Sequence, residues 1–333
     1  MKRNILNFII IVVVVILTFN ALTSNGNLYE LKTVVKRIEP LYITLGILIM
    51  IIFWILDGAV LYNLTKMIHL DGNYFKSLKT TMIGQYYISI TPFASGGPPS
   101  LYYSMKRNGL KIGEISSILT VKFIINELVL AFFLIIGLIF NISFLYRDVT
   151  IAFPFVMFGI ILRISVIIFI ALTFSNSVIT KKVLFKILNI LNRIKPIKNI
   201  EKYKIKLNNN IDEYLKGTNK IKNNKIKSLK IAILCFLKLL SYFSVTYIVY
   251  IALGFNEVSF LKMVFLQPLL HIAISYIPIP GKAGASEAGF YLLFKTFFTP
   301  EMLAYAVLIW RGLTFYFKII VCGGVVLIDK IKG

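Results

Sequence analysis

Residues 80–105 read TTMIGQYYISITPFASGGPPSLYYSM, and residues 262–298 read KMVFLQPLLHIAISYIPIPGKAGASEAGFYLLFKTFF. Both stretches are apolar enough to lie in a membrane, and both are cut at the centre by proline and glycine. Each half is about 12–18 residues, short of the roughly 20 that a helix needs to cross the hydrocarbon core. Broken backbone at membrane depth is tolerated only where protein or a wet cavity supplies partners for its N–H and C=O groups. Each stretch is therefore expected to form a re-entrant hairpin or a discontinuous spanning helix.

The sequence around them is that of a membrane protein. The 333 residues are 58% hydrophobic and 15% charged, with a mean hydropathy of +0.81. Lys and Arg number 37 against 14 Asp and Glu, a net charge of +23. So basic a chain first suggests nucleic acid, but nucleic-acid binders have polar surfaces, and this chain is too oily for one. Composition also excludes a soluble globular enzyme, a disordered tail and a secreted disulfide scaffold. Apolar spans are read at residues 5–22, 41–64, 115–140, 150–174, 229–253 and 302–328. The first follows Met1-Lys2-Arg3-Asn4 without a clean cleavage site and is read as an uncleaved anchor. The expected fold is an all-α polytopic integral membrane protein with about six full spans and two opposed Gly/Pro-broken re-entrant hairpins.

The basic residues orient it. With the hairpins re-entrant and the amino terminus inside, the inner segments hold Lys2, Arg3, Lys66, Lys76, Lys79, Lys106, Arg107, Lys111, Lys330 and Lys332, together with fifteen Lys or Arg between Lys181 and Lys230. The outer segments hold only Lys32, Lys36, Arg37, Arg147, Lys262 and Lys295. By the positive-inside rule both termini are expected on the cytoplasmic side of the cell membrane. The first hairpin then dips in from the cytoplasm and the second from outside, so that their tips approach near the midplane. The chain is expected to be one integral domain, its first half at 1–174, a basic linker at 175–228 and its second half at 229–333. Each half supplies spans, a broken hairpin and a further span, as an inverted repeat around a transporter's central site would. The linker's start, KKVLFKILNILNRIK, places Val183, Leu184, Ile187, Leu188 and Leu191 on one helical face among basic residues. It is read as a helix lying on anionic lipid or as an ordinary cytoplasmic loop. No RNA-binding signature accompanies it.

Ionisable residues inside spans cost about 2.5–3.5 kcal/mol each on insertion scales and so mark function or internal pairing. Asp57, Glu127, Arg163 and Arg311 sit deep, whereas Lys122, Lys238 and Lys318 lie nearer span ends, where they are expected to snorkel. At the first tip, Pro92, Ser95, Gly96 and Gly97 precede a helix expected to start at Pro98 or Pro99. Its amino-terminal end would offer free N–H groups and a positive dipole end to an anion. At the second tip, Pro280, Gly281, Lys282 and Gly284 precede Ser286, expected to cap a helix, and Glu287, expected to pair with Lys282 or a cationic substrate group. The bland alternative is two glycine-lined helix crossings with no ligand. His69 falls in a loop, and His271, alone in an apolar run, reads as a core histidine. No nucleophile–base set, metal-ligand spacing or Walker A motif is found, so no catalytic residue, metal or cofactor is expected. Cys235 and Cys322 read as small apolar residues in packed helices.

At the tips the sequence resembles a known family. TPFASGGPPSLYYSMKRNG, residues 91–109, looks like the TPFxSGGxP…YYxKxxG signature of the transmembrane, flippase-like domain of lysylphosphatidylglycerol synthases. PIPGKAGASEAGFYLLF, residues 278–294, is similar to that family's P-x-P-G-x-x-G-x-x-E-x-x-F signature, and Trp310-Arg311 also fits its pattern. Pro98 departs from it, because a glutamine is common there. In full-length relatives this domain moves an aminoacylated phosphatidylglycerol made by an attached cytosolic synthase. Only five residues follow the last span, so the resemblance implies translocation rather than lysyl transfer by this chain. The expected substrate is a membrane phospholipid, with aminoacylated phosphatidylglycerol the leading candidate. Arg163, Arg311 and the tip backbone would hold its phosphate, and Glu127, Glu287 and Asp57 would balance a cationic headgroup. Expected partners are anionic lipid at the linker, a separate synthase and a second copy of the chain. The alternatives are a phosphatidylglycerol lysyltransferase or its membrane subunit, and a membrane anchor acting through the linker.

Overall fold

A computed structural model of the chain describes residues 39–68, 72–148, 152–175, 177–194 and 200–332. The expected span at 5–22 and His69 lie outside these residues, as do the side chains of Val183, Leu184, Ile187 and Leu191 in the linker stripe. Among the described residues there is no strand. The chain runs α1 (Pro40–Ile68), α2 (Tyr74–Ile90), α3 (Gly97–Arg107), α4 (Ile112–Asp148), α5 (Ala152–Ser175), α6 (Ser177–Ile194), α7 (Ile200–Asn223), α8 (Lys225–Ala252), α9 (Phe260–Ala273), α10 (Ala285–Phe294), α11 (Pro300–Arg311) and α12 (Phe317–Lys332). Among the described residues four stretches are long and apolar enough to cross a membrane: Pro40–Ile68, Ile112–Arg147, Lys225–Ala252 and Pro300–Ile331. The last of them passes through a π-helical turn, Gly312–Tyr316, which links α11 to α12.

Local chemistry sets the boundaries. The Asn73, Asn224 and Ser259 side chains each accept the backbone N–H three residues on, which caps α2, α8 and α9. Glu114 accepts the Lys111 N–H at 2.9 Å, the return bond of a capping box, and starts α4. The ring of Pro92 disfavours helical backbone at Thr91, which is extended (φ −117°, ψ 144°), so α2 stops there. Pro98 and Pro99 fall in the first turn of α3, where a missing N–H does least harm.

Both broken stretches fold back on themselves. In the first, the Thr80 and Ser104 hydroxyls meet at 2.8 Å, and Gly97 packs on Ile88, so α2 and α3 lie side by side. In the second, Gly289 of the returning helix α10 packs on Leu270 of α9 and on Ile274 just beyond it. At about 1.5 Å per residue, even the longest of these helices reaches only about 25 Å, short of a 30 Å core. The hairpin form, rather than a straight discontinuous span, is the geometry found.

The helices pack reciprocally. Helix α1 packs along α8; α4 of the first half packs on α9 of the second, and α12 of the second packs on α2 of the first. An exchange of the two halves by a two-fold operation produces this pattern. Much of the buried apolar surface lies in one cluster that includes Met50, Phe133, Phe243, Phe265, Phe290 and Trp310.

Asp329 of α12 binds Lys79 at 2.6 Å and Arg107 at 3.0 Å, and Lys111 lies 3.6 Å from Glu213 of α7. The starts of α2 and α4, the end of α3, the linker and the last residues therefore share one end of the molecule. At the other end, the Lys262 ammonium sits over the rings of Phe144 and Phe297. Among its described residues the linker consists of two helices, α6 and α7. Its second helix, α7, docks on α4: Gly113 lies against Glu213, Gly217 against Ser117, and Ile211, Tyr214 and Ile221 are buried. Burial pushes the Tyr214 phenol up to about 12, so it stays neutral and packs as an aromatic side chain.

Candidate functional site: a cavity between the hairpin tips

The two tips share one backbone course. At the first, extended Thr91 leads into Pro92, then Phe93 and Ala94 with φ of 54° and 57°. At the second, extended Ile279 leads into Pro280, then Gly281 and Lys282 with φ of 63° and 54°. Left-handed backbone costs a side-chain-bearing residue about 1–2 kcal/mol, so three of the four residues hold a strained conformation. Gly281 is fixed by space as well: a Cβ there would overlap the Phe315 ring and lie 3.3 Å from the Ser89 carbonyl oxygen of the opposite hairpin.

Beside the tips lies a cavity of about 570 Å³. Its walls are tip residues Thr91, Phe93, Ala94 and Pro98; tip residues Gly281, Lys282 and Ser286; Asn126 and Glu127 of α4; Arg163 of α5; Gln267 and His271 of α9; and Trp310, Arg311, Phe315 and Lys318 near the end of the chain. The structure thus brings together six predicted residues: Glu127, Arg163, Gly281, Lys282, Ser286 and Arg311. Pro92, Ser95, Gly96, Gly97, Pro280 and Gly284 shape the turns, Glu287 stands behind Arg311, and none of these seven lines the cavity.

Arg163 grips Glu127 with two hydrogen bonds, Nε to Oε2 at 2.6 Å and Nη2 to Oε1 at 3.1 Å. This fork-on-fork geometry is the strongest form of ion pair. Arg311 donates from Nε to Glu287 Oε1 at 2.8 Å and from Nη2 to the Gly281 carbonyl at 3.3 Å, with its guanidinium 4.0 Å from the Phe315 ring centre. It therefore clamps the second tip and α10 to the end of α11. Four buried polar atoms at this site have no partner among the described residues: Arg163 Nη1, Trp310 Nε1, Gln267 Oε1 and Glu287 Oε2. A buried donor or acceptor without a partner is costly, and those on the cavity wall mark where water or a polar ligand is accommodated.

Four expectations are corrected. Ser286 does not cap α10; its hydroxyl donates back to the Lys282 carbonyl at 2.9 Å, and the cap position belongs to Gly284. Glu287 pairs with Arg311 rather than Lys282, because the helix turn aims it at the last span. The first tip is a poor anion cradle: Pro98 and Pro99 carry no N–H, and the Ser95, Gly96 and Ser100 N–H groups are bonded to Pro92, Thr91 and Gly96. The three span-end lysines do not reach outward. Lys122 and Lys238 lie 2.9 and 3.6 Å from Asp57, with Gln85 donating to the same carboxylate at 3.2 Å. Asp57 is thus the hub of a separate buried cluster. It is joined to the site through Asn126, which accepts from Lys238 at 2.7 Å and lines the cavity.

The third, Lys318, faces the cavity, as do His271, Gln267 and Trp310, none of which sequence reasoning assigned there. His271 follows Gln267 by four residues and so shares its helix face. Lys318, by contrast, is separated from Arg311 by the π-helical turn, which breaks the α-helical period and hides their nearness from the sequence.

A family model described as the lysylphosphatidylglycerol synthase TM region matches residues 4–322. A UPF0104 membrane protein of Archaeoglobus fulgidus is 24% identical over 294 residues, covering 86% of each chain. No solved structure matches.

Proposed function

The chain belongs to the lysylphosphatidylglycerol synthase TM-region family, and from that premise we propose that this multi-pass membrane protein is a lipid translocase. A phospholipid headgroup passes through the cavity between the hairpin tips while its acyl chains stay in the bilayer. The carrying observation is a wet-sized cavity between two folded-back hairpins, walled by buried charges and by polar atoms that lack partners. A headgroup entering hydrocarbon loses its hydration at a cost of several kcal/mol or more. Fixed donors replace that hydration here: Arg163 Nη1–H and Trp310 Nε1–H are free to bond phosphate or glycerol oxygens, and Gln267 Oε1 can accept from a hydroxyl. Glu127 and Glu287 hold the arginines in place rather than meeting the headgroup directly.

The same reading places both termini and the basic linker on the cytoplasmic side. It assigns Lys181, Lys182, Lys186 and Arg193, which share one face of α6, to the anionic lipid surface. A separate synthase and a second copy of the chain are the further partners proposed.

Reconstitution tests the proposal. Liposomes holding the full chain and acyl-labelled phospholipid are treated with dithionite, which bleaches only accessible label. Wild-type protein should expose the inner-leaflet pool, and Arg311→Ala and Glu287→Ala should slow that exposure. No exposure by wild type, or equal exposure by both variants, counts against translocation. Lysyl-lipid appearing in the same vesicles given lysyl-tRNA would instead support the lysyltransferase reading.

A further inference from the structure

The two glutamates at the cavity are already committed, each to an arginine. Lys282 and Lys318 also face the cavity, and neither has a carboxylate within ion-pair distance among the described residues. Four cations, Arg163, Lys282, Arg311 and Lys318, stand against two carboxylates, which leaves two positive charges unbalanced. They come from different elements: Lys282 is held by the left-handed turn of the second tip, and Lys318 belongs to α12, seven residues beyond Arg311.

We propose that Lys282 and Lys318 select the substrate, and that the cavity takes a phospholipid whose headgroup is net anionic, such as phosphatidylglycerol, rather than one carrying an added amino group. The inference rests on the translocation reading for its site and goes beyond it in naming the charge class. A lysine ammonium is a compact point charge well suited to a phosphate diester, and buried charges need counter-charges. An anionic headgroup supplies that counter-charge. An aminoacyl headgroup, the class first expected from the family resemblance, brings further positive charge to a site with two cations to spare. Discrimination of this kind comes from the repulsive element as much as from the attractive one. The partnerless Trp310 and Arg163 N–H groups add donors for the same phosphate oxygens.

The test measures binding and movement separately on the full chain. Native mass spectrometry of the detergent-solubilised protein with phosphatidylglycerol, phosphatidylcholine and lysyl-phosphatidylglycerol should show phosphatidylglycerol held tightest. The margin over the lysyl lipid should be about tenfold or more. Lys282→Gln with Lys318→Gln should collapse that margin, while Lys295→Gln, at an exposed lysine, should leave it unchanged. Inorganic phosphate should not displace the lipid; displacement at matched concentration would assign the site to the free ion and overturn the lipid class. Lysyl lipid bound as tightly as phosphatidylglycerol, or an unchanged margin in a monodisperse double variant, would also overturn the inference. The same lipids are then followed in vesicles. Movement without charge preference defeats the substrate class alone, whereas preference without movement defeats translocation alone.

Discussion

Arg311 touches three things that would otherwise be independent: the Glu287 carboxylate of α10, the Gly281 carbonyl of the second tip and the Phe315 ring. Its removal leaves Glu287 buried without a counter-charge, a loss that costs about 3–5 kcal/mol where a single partner of a buried pair is deleted. Arg311→Ala is therefore expected to lower the melting temperature in detergent as well as transport, and Glu287→Gln to do so less. The Asp57 cluster makes a sharper stability prediction. Asp57→Asn strands Lys122 and Lys238 together, so a destabilisation of about 3–5 kcal/mol by thermal denaturation is expected. Stability and function separate at Glu127–Arg163. Replacing both with leucine and methionine should restore much of the stability that Arg163→Ala alone loses, yet leave transport abolished. If the apolar double variant transports, the pair is structural only. That these residues matter was legible in the sequence, since charges inside apolar spans are expensive. Their pairing was not, because it depends on which helices meet. Glu287 and Lys282 are neighbours along the chain, but the turn at Gly284 and the start of α10 point Glu287 elsewhere.

At the scale of elements, both hairpins were legible from proline and glycine at the centre of apolar runs too short to span. Their shared course, a proline followed by two left-handed residues, was not, because Phe93-Ala94 gives no residue-type signal for it. Two substitutions with opposite expected signs test that geometry. Phe93→Gly removes a side chain from left-handed backbone and should leave stability unchanged or raise it by up to about 1–2 kcal/mol. Gly281→Ala adds a Cβ that collides with Phe315, and should destabilise the protein and slow transport. Melting curves of the pair decide it: equal shifts in both would contradict the geometry. The π-helical turn at Gly312–Tyr316 was also invisible, since residues 302–328 read as one uninterrupted apolar span. It lies between Arg311 and Lys318 on the wall of the cavity, where such turns often accompany functional sites.

Across the whole molecule, the reciprocal packing of α4 on α9 and α12 on α2 brings the opposed tips together. Too little sequence similarity survives between the halves for that relation to be read from residues alone. The Asp329 contacts to Lys79 and Arg107 gather three of the basic segments that the charge asymmetry groups together at one end of the molecule. In a background free of Cys235 and Cys322, single cysteines at Lys79, Lys111 and Lys220 should therefore react with an impermeant thiol reagent from one side of the membrane. Cysteines at Glu257 and Lys295 should react from the other; labelling of all five from one side would refute the arrangement. The central claim is that a lipid headgroup occupies the space between the tips. Its most direct test is a phospholipid carrying a diazirine in the headgroup, reconstituted with the protein, illuminated and mapped by peptide mass spectrometry. The account predicts adducts at Phe93, Lys282, Phe315 and Lys318 that diminish in Arg311→Ala. Adducts confined to the surface loops and the Lys181–Arg193 face of α6 would contradict it.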